Sequence, residues 1–272
     1  MTDLSALEID PTKLGTLTKE QLAELNLLAD GLIESEARRL FYALFPDQDD
    51  VWRGPTVLDG LVRTGQTFFA RHKYPRHTDF FAAGAQYRER CLMAANRVGK
   101  TFSCGGYEMA AHLTGLYPSW WPGRRFTHPI SAWAAGDTNE STRDVIQLVL
   151  LGAVAGEGGK KGMDGRGVVP GHLISKPRWK AGVQDLVDTV GVKHVSGGMS
   201  RLAFKSYDQG RKSFQGTGRH VIWLDEEPPH EVYEECLIRT ATTSGIIMLT
   251  FTPLSGMSEV VMSFLPKEYQ FA

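Results

Sequence analysis

The chain is 272 residues long with 42% hydrophobic and 22% charged residues, a balance that excludes a disordered or fibrous chain and suits one large α/β domain with a small appendage. Its net charge of −1 conceals a strong asymmetry: residues 1–50 carry 4 basic against 11 acidic side chains, residues 221–272 carry 2 against 8, and residues 51–220 carry 24 against 12. A central block this basic is a candidate phosphate-contacting surface, set against the alternative of a solvated face neutralised by the acidic ends. No apolar run approaches the ~18 residues of a membrane-spanning helix, and the first residues lack the pattern of a signal peptide, so a cytosolic protein is expected. Cys91, Cys104 and Cys236 are too few and too scattered for a disulfide framework or a CxxC metal site and read as small buried hydrophobes.

In chain order, residues 18–45 read as helix. Thr18 and Gln21 form a capping box, Leu22, Leu25, Leu28, Leu32, Leu40 and Leu44 recur at near-helical spacing, and Pro46 with Asp47, Asp49 and Asp50 ends the run. A helical extension over residues 1–70 is therefore expected ahead of a main domain over residues 71–272, the alternative being that the helix packs on the main core. From Arg90 onward short apolar runs alternate with helix-compatible stretches, the mark of an α/β fold. Candidate strands are Cys91–Ala95, Ile130–Ala135, Arg201–Lys205, Val221–Leu224 and Ile246–Phe251. Between the second and third, residues 152–171 hold eight glycines together with Lys160, Lys161 and Arg166. That composition predicts a mobile basic loop without regular strand or helix, and within the basic block it is the expected moving DNA contact.

Two stretches carry chemistry. Ala94-Ala95-Asn96-Arg97-Val98-Gly99-Lys100-Thr101 follows an apolar strand and fits the phosphate-binding loop GxxxxGK[ST], with Ala94 at the first glycine. In such a loop backbone N–H groups and a helix N-terminus wrap a phosphate, Lys100 reaches the β and γ oxygens, and the Thr101 hydroxyl ligates Mg²⁺. Ala94 is tolerable if its φ is negative. The second stretch, His220-Val221-Ile222-Trp223-Leu224, is a buried-strand pattern running into Asp225-Glu226-Glu227. Adjacent carboxylates repel, and a metal ion with a water to be deprotonated gives them a use. Asp225 is assigned to the Mg²⁺ shell, Glu226 to the attacking water, and Glu227 to either that group or the cap of the helix begun by Pro228-Pro229. Loop and carboxylates in this order point to a nucleoside-triphosphatase with a P-loop NTPase fold.

With Ser213-Phe214-Gln215-Gly216-Thr217 and Leu249-Thr250-Phe251-Thr252-Pro253, these stretches resemble the ATPase domain of large terminase subunits, the motors that package DNA into procapsids of tailed bacteriophages and herpesviruses. The resemblance runs from about Phe80 to Pro253 and implies a fold of the additional-strand (ASCE) type, with a central, mostly parallel sheet flanked by helices. It also implies ATP and Mg²⁺ as cofactors, and double-stranded DNA, the portal protein and the small terminase subunit as partners. The motor would work as a homo-oligomeric ring in the cytoplasm of the infected bacterial host. By the same resemblance Thr250-Phe251-Thr252-Pro253 looks like the motif that senses the γ-phosphate, with Thr250 and Thr252 as its hydroxyls. An adenine-contacting segment is expected just before the loop, with Tyr74-Pro75 and His77 or Gln86 available. The charge-neutralising arginine is assigned to Arg97 in cis or Arg211 in trans, with Arg201, Arg219 and Arg239 as further choices. The nineteen residues after Pro253 leave no room for the nuclease domain of the family, so no cutting activity is expected of this chain. A nucleic-acid helicase and a non-enzymatic docking module are the rival readings.

Overall fold

The computed structural model describes residues 18–23, 40–52, 56–58, 61–63, 65–157, 160–254, 256–266 and 268. Seven strands form the central sheet: β1 (Glu89–Met93), β2 (Ser131–Gly136), β3 (Arg178–Trp179), β4 (Val187–Lys193), β5 (Met199–Ser206), β6 (Val221–Asp225) and β7 (Ile246–Phe251). Their spatial order is β1-β7-β6-β2-β5-β4-β3. The first five in that order are parallel, while β4 and β3 add on antiparallel. One strand, β7, therefore separates the strand that leads into the loop from the strand that ends in the carboxylates, which is the additional-strand arrangement expected from the sequence.

Parallel strands are covered on both faces and so read as continuous apolar runs, as Val221–Asp225 and Ile246–Phe251 do; every residue of both is buried. Alternate side chains go to opposite faces. Val221, Trp223, Ile246 and Met248 join one core with Tyr107, Leu150 and Phe204. Ile222, Leu224, Ile247 and Leu249 join a second core with Trp133, Phe214, Val232 and Cys236. Helices α1 (Pro75–Ala83), α2 (residues 100–114) and α3 (residues 139–151) cover the first face. The second is covered by α4 (His230–Ala241) and α5 (Glu259–Phe264). The opening of α2, Lys100–Gly106, is wound as a π-helix, a rare geometry that concentrates at functional sites.

The capping box at Thr18 is present: its backbone N–H donates to Gln21 Oε1 at 3.0 Å, and the Gln21 N–H donates to Thr18 Oγ1 at 3.2 Å. Residues 24–39 of the expected helix lie outside the described residues. At its far end Phe41, Leu44 and Phe45 are buried in the same core as Phe81 and Tyr107, with Phe41 stacked on Tyr107 at 4.9 Å. The segment after it holds antiparallel pairings, Asp50–Trp52 with Gln66–Phe68 and Thr56–Leu58 with Leu61–Arg63.

The glycine-rich stretch departs from expectation. Val154–Glu157 pairs antiparallel with Lys160–Met163 as a hairpin, and the chain beyond the hairpin is pinned to α3: the N–H groups of Val168 and Val169 donate to Val149 and Leu150 carbonyls at 2.8 and 3.0 Å. Gly167 is where a side chain has no room, since a Cβ would lie 2.4 Å from the Leu150 backbone. Glycine in this stretch serves close backbone packing as much as freedom. Lys161 is held by Asp185 at 2.6 Å and lies over the Trp179 ring, so its charge is already engaged within the chain.

Candidate nucleotide site

Sheet register builds the site. Asp225 is the register partner of Thr250, and Met93 that of Phe251; the Ala94 N–H then donates to the Phe251 carbonyl at 3.3 Å. Consequently the carboxylate, the two threonines after Leu249 and the start of the loop meet at the C-terminal ends of three neighbouring strands, where open α/β sheets bind ligands. Trp223, two residues before Asp225 and on the same face, donates from Nε1 to Thr250 Oγ1 at 2.7 Å, and Thr250 Oγ1 donates to Asp225 Oδ1 at 2.7 Å. The Thr101 hydroxyl reaches the same carboxylate at 3.0 and 3.1 Å. Lys100 Nζ donates to the Ala94 and Ala95 carbonyls at 3.0 and 2.8 Å and to Thr252 Oγ1 at 2.9 Å. Thr252 also lies 2.8 Å from Asn96 Oδ1.

Backbone conformation in the loop is unusual at two places. Gly99 has φ +83°, where glycine is needed, and Arg97 has φ +65°, a left-handed conformation costing a residue with a side chain about 1–2 kcal/mol. Ala94 is not among the residues of positive φ, so the missing first glycine is accommodated. Glu226 also turns left-handed, at φ +67°, which throws its side chain out of the strand toward solvent. That turn is braced by Tyr207, whose hydroxyl lies 3.0 Å from the Asp225 carbonyl and 3.1 Å from that of Glu226.

Electrostatics set the carboxylates apart. Burial pushes the Asp225 pKa up to about 7 against the opposing hydrogen bonds from Thr250 and Thr101. Burial also raises Glu226, Lys100 pulls it down, and Asp137 at the end of β2 adds to the rise. Thr101 and Asp225 supply a hydroxyl and a carboxylate, the hard oxygen donors that Mg²⁺ takes when phosphates and water complete its shell. A buried carboxylate held by neutral donors alone, with its pKa raised, fits a position meant to face a cation.

Beside the loop a cleft of about 620 Å³ is walled by Gln66, Phe68, Tyr74, His77, Arg97 and Gly99, among others. His77 Nε2 is buried with no hydrogen-bond partner among the described residues, an orphan that a ligand group in the cleft would satisfy. Of the expected adenine-side residues, Tyr74, Pro75 and His77 line this cleft and Gln86 does not. Gln66, Phe68 and the brace Tyr207 escaped the sequence. The first two arrive through a hairpin with no motif of its own, and Tyr207 simply follows a strand.

The structure brings together Ala94–Thr101, Asp225, Glu226, Thr250 and Thr252. It places Arg211 elsewhere: its Nε donates to Glu235 on α4 at 3.0 Å, and Arg239 pairs with the same carboxylate. Arg97 is exposed at the loop.

Residues 91–271 match the family model for the N-terminal part of terminase large subunits of the T4-like-virus type. The chain belongs to the terminase large-subunit family. A curated relative, the large terminase subunit of Salmonella phage P22, is 35% identical over 259 residues, covering 89% of this chain and 48% of its own length. This terminase chain thus spans about half the length of the curated relative it matches. Among solved structures, a mutant of the Thermus phage P74-26 large terminase ATPase domain aligns with 15% identity and a TM-score of 0.40, covering 62% of this chain and 61% of its own; so distant a likeness adds nothing to the site.

Proposed function

We propose that this terminase chain is the ATP-hydrolysing motor part of a phage packaging machine, driving double-stranded DNA into a procapsid. The observation that carries the reading is the convergence of Lys100, Thr101, Asp225 and Thr250 at one sheet edge, with Glu226 projecting beside them. Lys100 would exchange the Ala94 and Ala95 carbonyls for β- and γ-phosphate oxygens, and the loop N–H groups would cradle the phosphates. Thr101 and Asp225 would hold Mg²⁺, which supplies charge neutralisation on those oxygens when bound. Glu226 is the base: it accepts a proton as a water oxygen bonds to the γ-phosphorus and the bond from that phosphorus to the β–γ bridging oxygen breaks, leaving ADP and phosphate. Thr252, which now touches both Lys100 and Asn96, is placed to register the loss of the γ-phosphate. The cleft walled by Tyr74, His77 and Gln66 is the adenosine side.

Arg97 is the better supported of the two arginine assignments. Its left-handed backbone within the loop is a strain that structure alone does not require, whereas Arg211 has a partner in Glu235. A homo-oligomeric ring in the host cytoplasm, seated on the portal with the small terminase subunit and DNA, is the assembly this reading implies. Lys100→Ala tests it: phosphate release should fall by on the order of 10² or more while the protein stays folded. Undiminished turnover by the folded variant would remove the ATPase assignment.

A further inference from the structure

The opposite edge of the sheet has a different electrostatic character. Residues 84–88, 122–130, 194–198, 215–220 and 242–245 lead into the five parallel strands, none of these segments contains an Asp or Glu, and Arg201 lies two residues inside β5; Glu89, the first residue of β1, accepts from the Tyr233 hydroxyl at 2.7 Å. The segments leaving the same strands mix both signs, Arg97, Lys100 and Arg211 with Asp137, Asp208, Glu226 and Glu227. Backbone hydrogen bonds join the entering segments side by side: Ile247 N–H to the Arg88 carbonyl at 2.7 Å, Ile246 to His220 at 2.9 Å, His220 to Ser131 at 2.9 Å, and Arg201 to Ile130 at 2.8 Å. Their cations therefore form one collar rather than isolated charges.

Carboxylates do not neutralise these cations. Arg88 donates to the Leu237 carbonyl and the Thr240 hydroxyl, Arg124 to the Ser244 carbonyl, and Arg219 to Thr217 Oγ1 and the Gly218 carbonyl. Among the described residues, none of Arg88, Arg124, Arg201 and Arg219 has an ion pair, and at this edge only Arg239 is paired, with Glu235. A guanidinium has five donors and keeps its full charge when one or two go to neutral oxygens. Burial, reinforced by the like charges of Arg201 and Arg239, lowers the Arg219 pKa, the mark of cations gathered without counter-charge. His128 and His220 lie in the same group, their rings 5.4 Å apart.

Five strands at about 4.8 Å spacing make this edge roughly 19 Å wide. Duplex DNA carries one negative charge per ~1.7 Å of axis with both strands counted, so a stretch of that length carries about eleven phosphate charges, of which those on the near side face the edge. We propose that the strand-entry edge carrying Arg88, Arg124, Arg201 and Arg219 is a docking surface for the phosphate backbone of duplex DNA, on the side of the sheet opposite the nucleotide. This rests on the reading of the chain as a DNA motor. Unlike Lys161 in the glycine-rich hairpin, which Asp185 holds, these four arginines have no carboxylate partner among the described residues. Contacts of this kind position a duplex without reading its sequence, as a motor that moves any DNA requires. With nucleotide at one end of the strands and DNA at the other, β7, which carries Thr250 and leads directly to Thr252, would lie between them.

The test measures binding of the whole chain to two labelled duplexes of unrelated sequence and about 30 base pairs across a range of salt. The variant Arg88→Gln with Arg124→Gln and Arg201→Gln should bind both duplexes at least tenfold more weakly near 0.1 M salt, and its log–log salt slope should fall by about 3, at ~0.9 for each phosphate no longer neutralised. The corresponding triple lysine variant should keep most of the slope. The melting temperature should stay close to that of the unmodified chain. Unchanged affinity and slope in the glutamine variant would overturn the proposal while leaving the DNA-motor reading in place, and would assign the collar to an acidic protein. Equal loss in the lysine and glutamine variants would overturn it too, as an effect of structure rather than charge. No duplex binding by the unmodified chain would count against the motor reading itself.

Discussion

Asp225 is a residue whose burial is costly to the fold of the ligand-free protein. It is 4% exposed, bonded to two threonine hydroxyls, and its pKa is pushed up to about 7 by burial. A carboxyl whose folded pKa lies above its unfolded value stabilises fully only at low pH and loses that contribution as pH rises through about 7. At pH 8 without ligands, ionised Asp225 should therefore work against the fold by a few kcal/mol. Asp225→Asn should raise the melting temperature of the ligand-free protein at pH 8 and abolish the extra stability gained from Mg²⁺ and nucleotide. Glu226→Gln should behave differently: it should keep that ligand-induced stabilisation and lose turnover. Thermal melts with and without Mg·ATP separate the two, and identical behaviour of the variants would mean their roles are misassigned.

At the scale of elements, the five parallel strands were legible because a strand covered on both faces shows an unbroken apolar run bounded by Gly, Pro or charge, as Ile246–Phe251 does. Val187–Lys193 was not, since Asp188, Thr189, Gly191 and Lys193 break the run on a strand that pairs antiparallel with the strand directly after it and lies outside the parallel set. Composition also misled at the glycine-rich hairpin, where tertiary packing overrode local propensity. The loop and carboxylates could be read as motifs, and Tyr74, Pro75 and His77 were in view beside them, whereas Gln66 and Phe68 were hidden because they reach the cleft only through pairing with Asp50–Trp52. Packing between α2 and β6 yields a prediction no motif contains. A Cβ on Gly105 would stand 2.1 Å from the Trp223 ring, and that ring is both fully buried and the donor that orients Thr250. Gly105→Ala should cost about 1–3 kcal/mol by overpacking and also lower turnover, because moving Trp223 disturbs the Thr250–Asp225 bond. A melting temperature and rate equal to those of the unmodified chain would show that α2 shifts freely, contrary to the close packing of its glycines.

For the whole molecule, two sets of buried groups make stability depend on pH in opposite senses. His112 is fully buried between Glu108 and Tyr117, with Glu108 also bound by Arg90 at 2.7 Å. Burial pushes His112 below the ordinary imidazole value, and it does the same to His77, His194 and His220. Arg90 and His112 outweigh burial at Glu108 and hold its carboxyl below the usual range. A histidine with a lowered folded pKa contributes stability that is present above its unfolded value of about 6.5 and lost as pH falls through the folded one. Asp225 acts in the other direction: its penalty sets in above the unfolded carboxyl value of about 3.9 and is complete once pH has risen through about 7. Between these values the two sets oppose each other, and above neutrality neither changes further. Asp225→Asn should therefore unmask the histidines: its gain in melting temperature should be full at pH 8 and shrink toward pH 5, leaving a variant whose melting temperature falls more steeply than that of the unmodified chain between pH 7 and pH 5. Mg²⁺ with nucleotide should offset the same penalty by giving the ionised carboxylate a cation. A variant melting temperature that stays level between pH 7 and pH 5 would show that these histidines are accommodated charged, and a gain from Asp225→Asn as large at pH 5 as at pH 8 would move its origin away from the titration of this carboxyl.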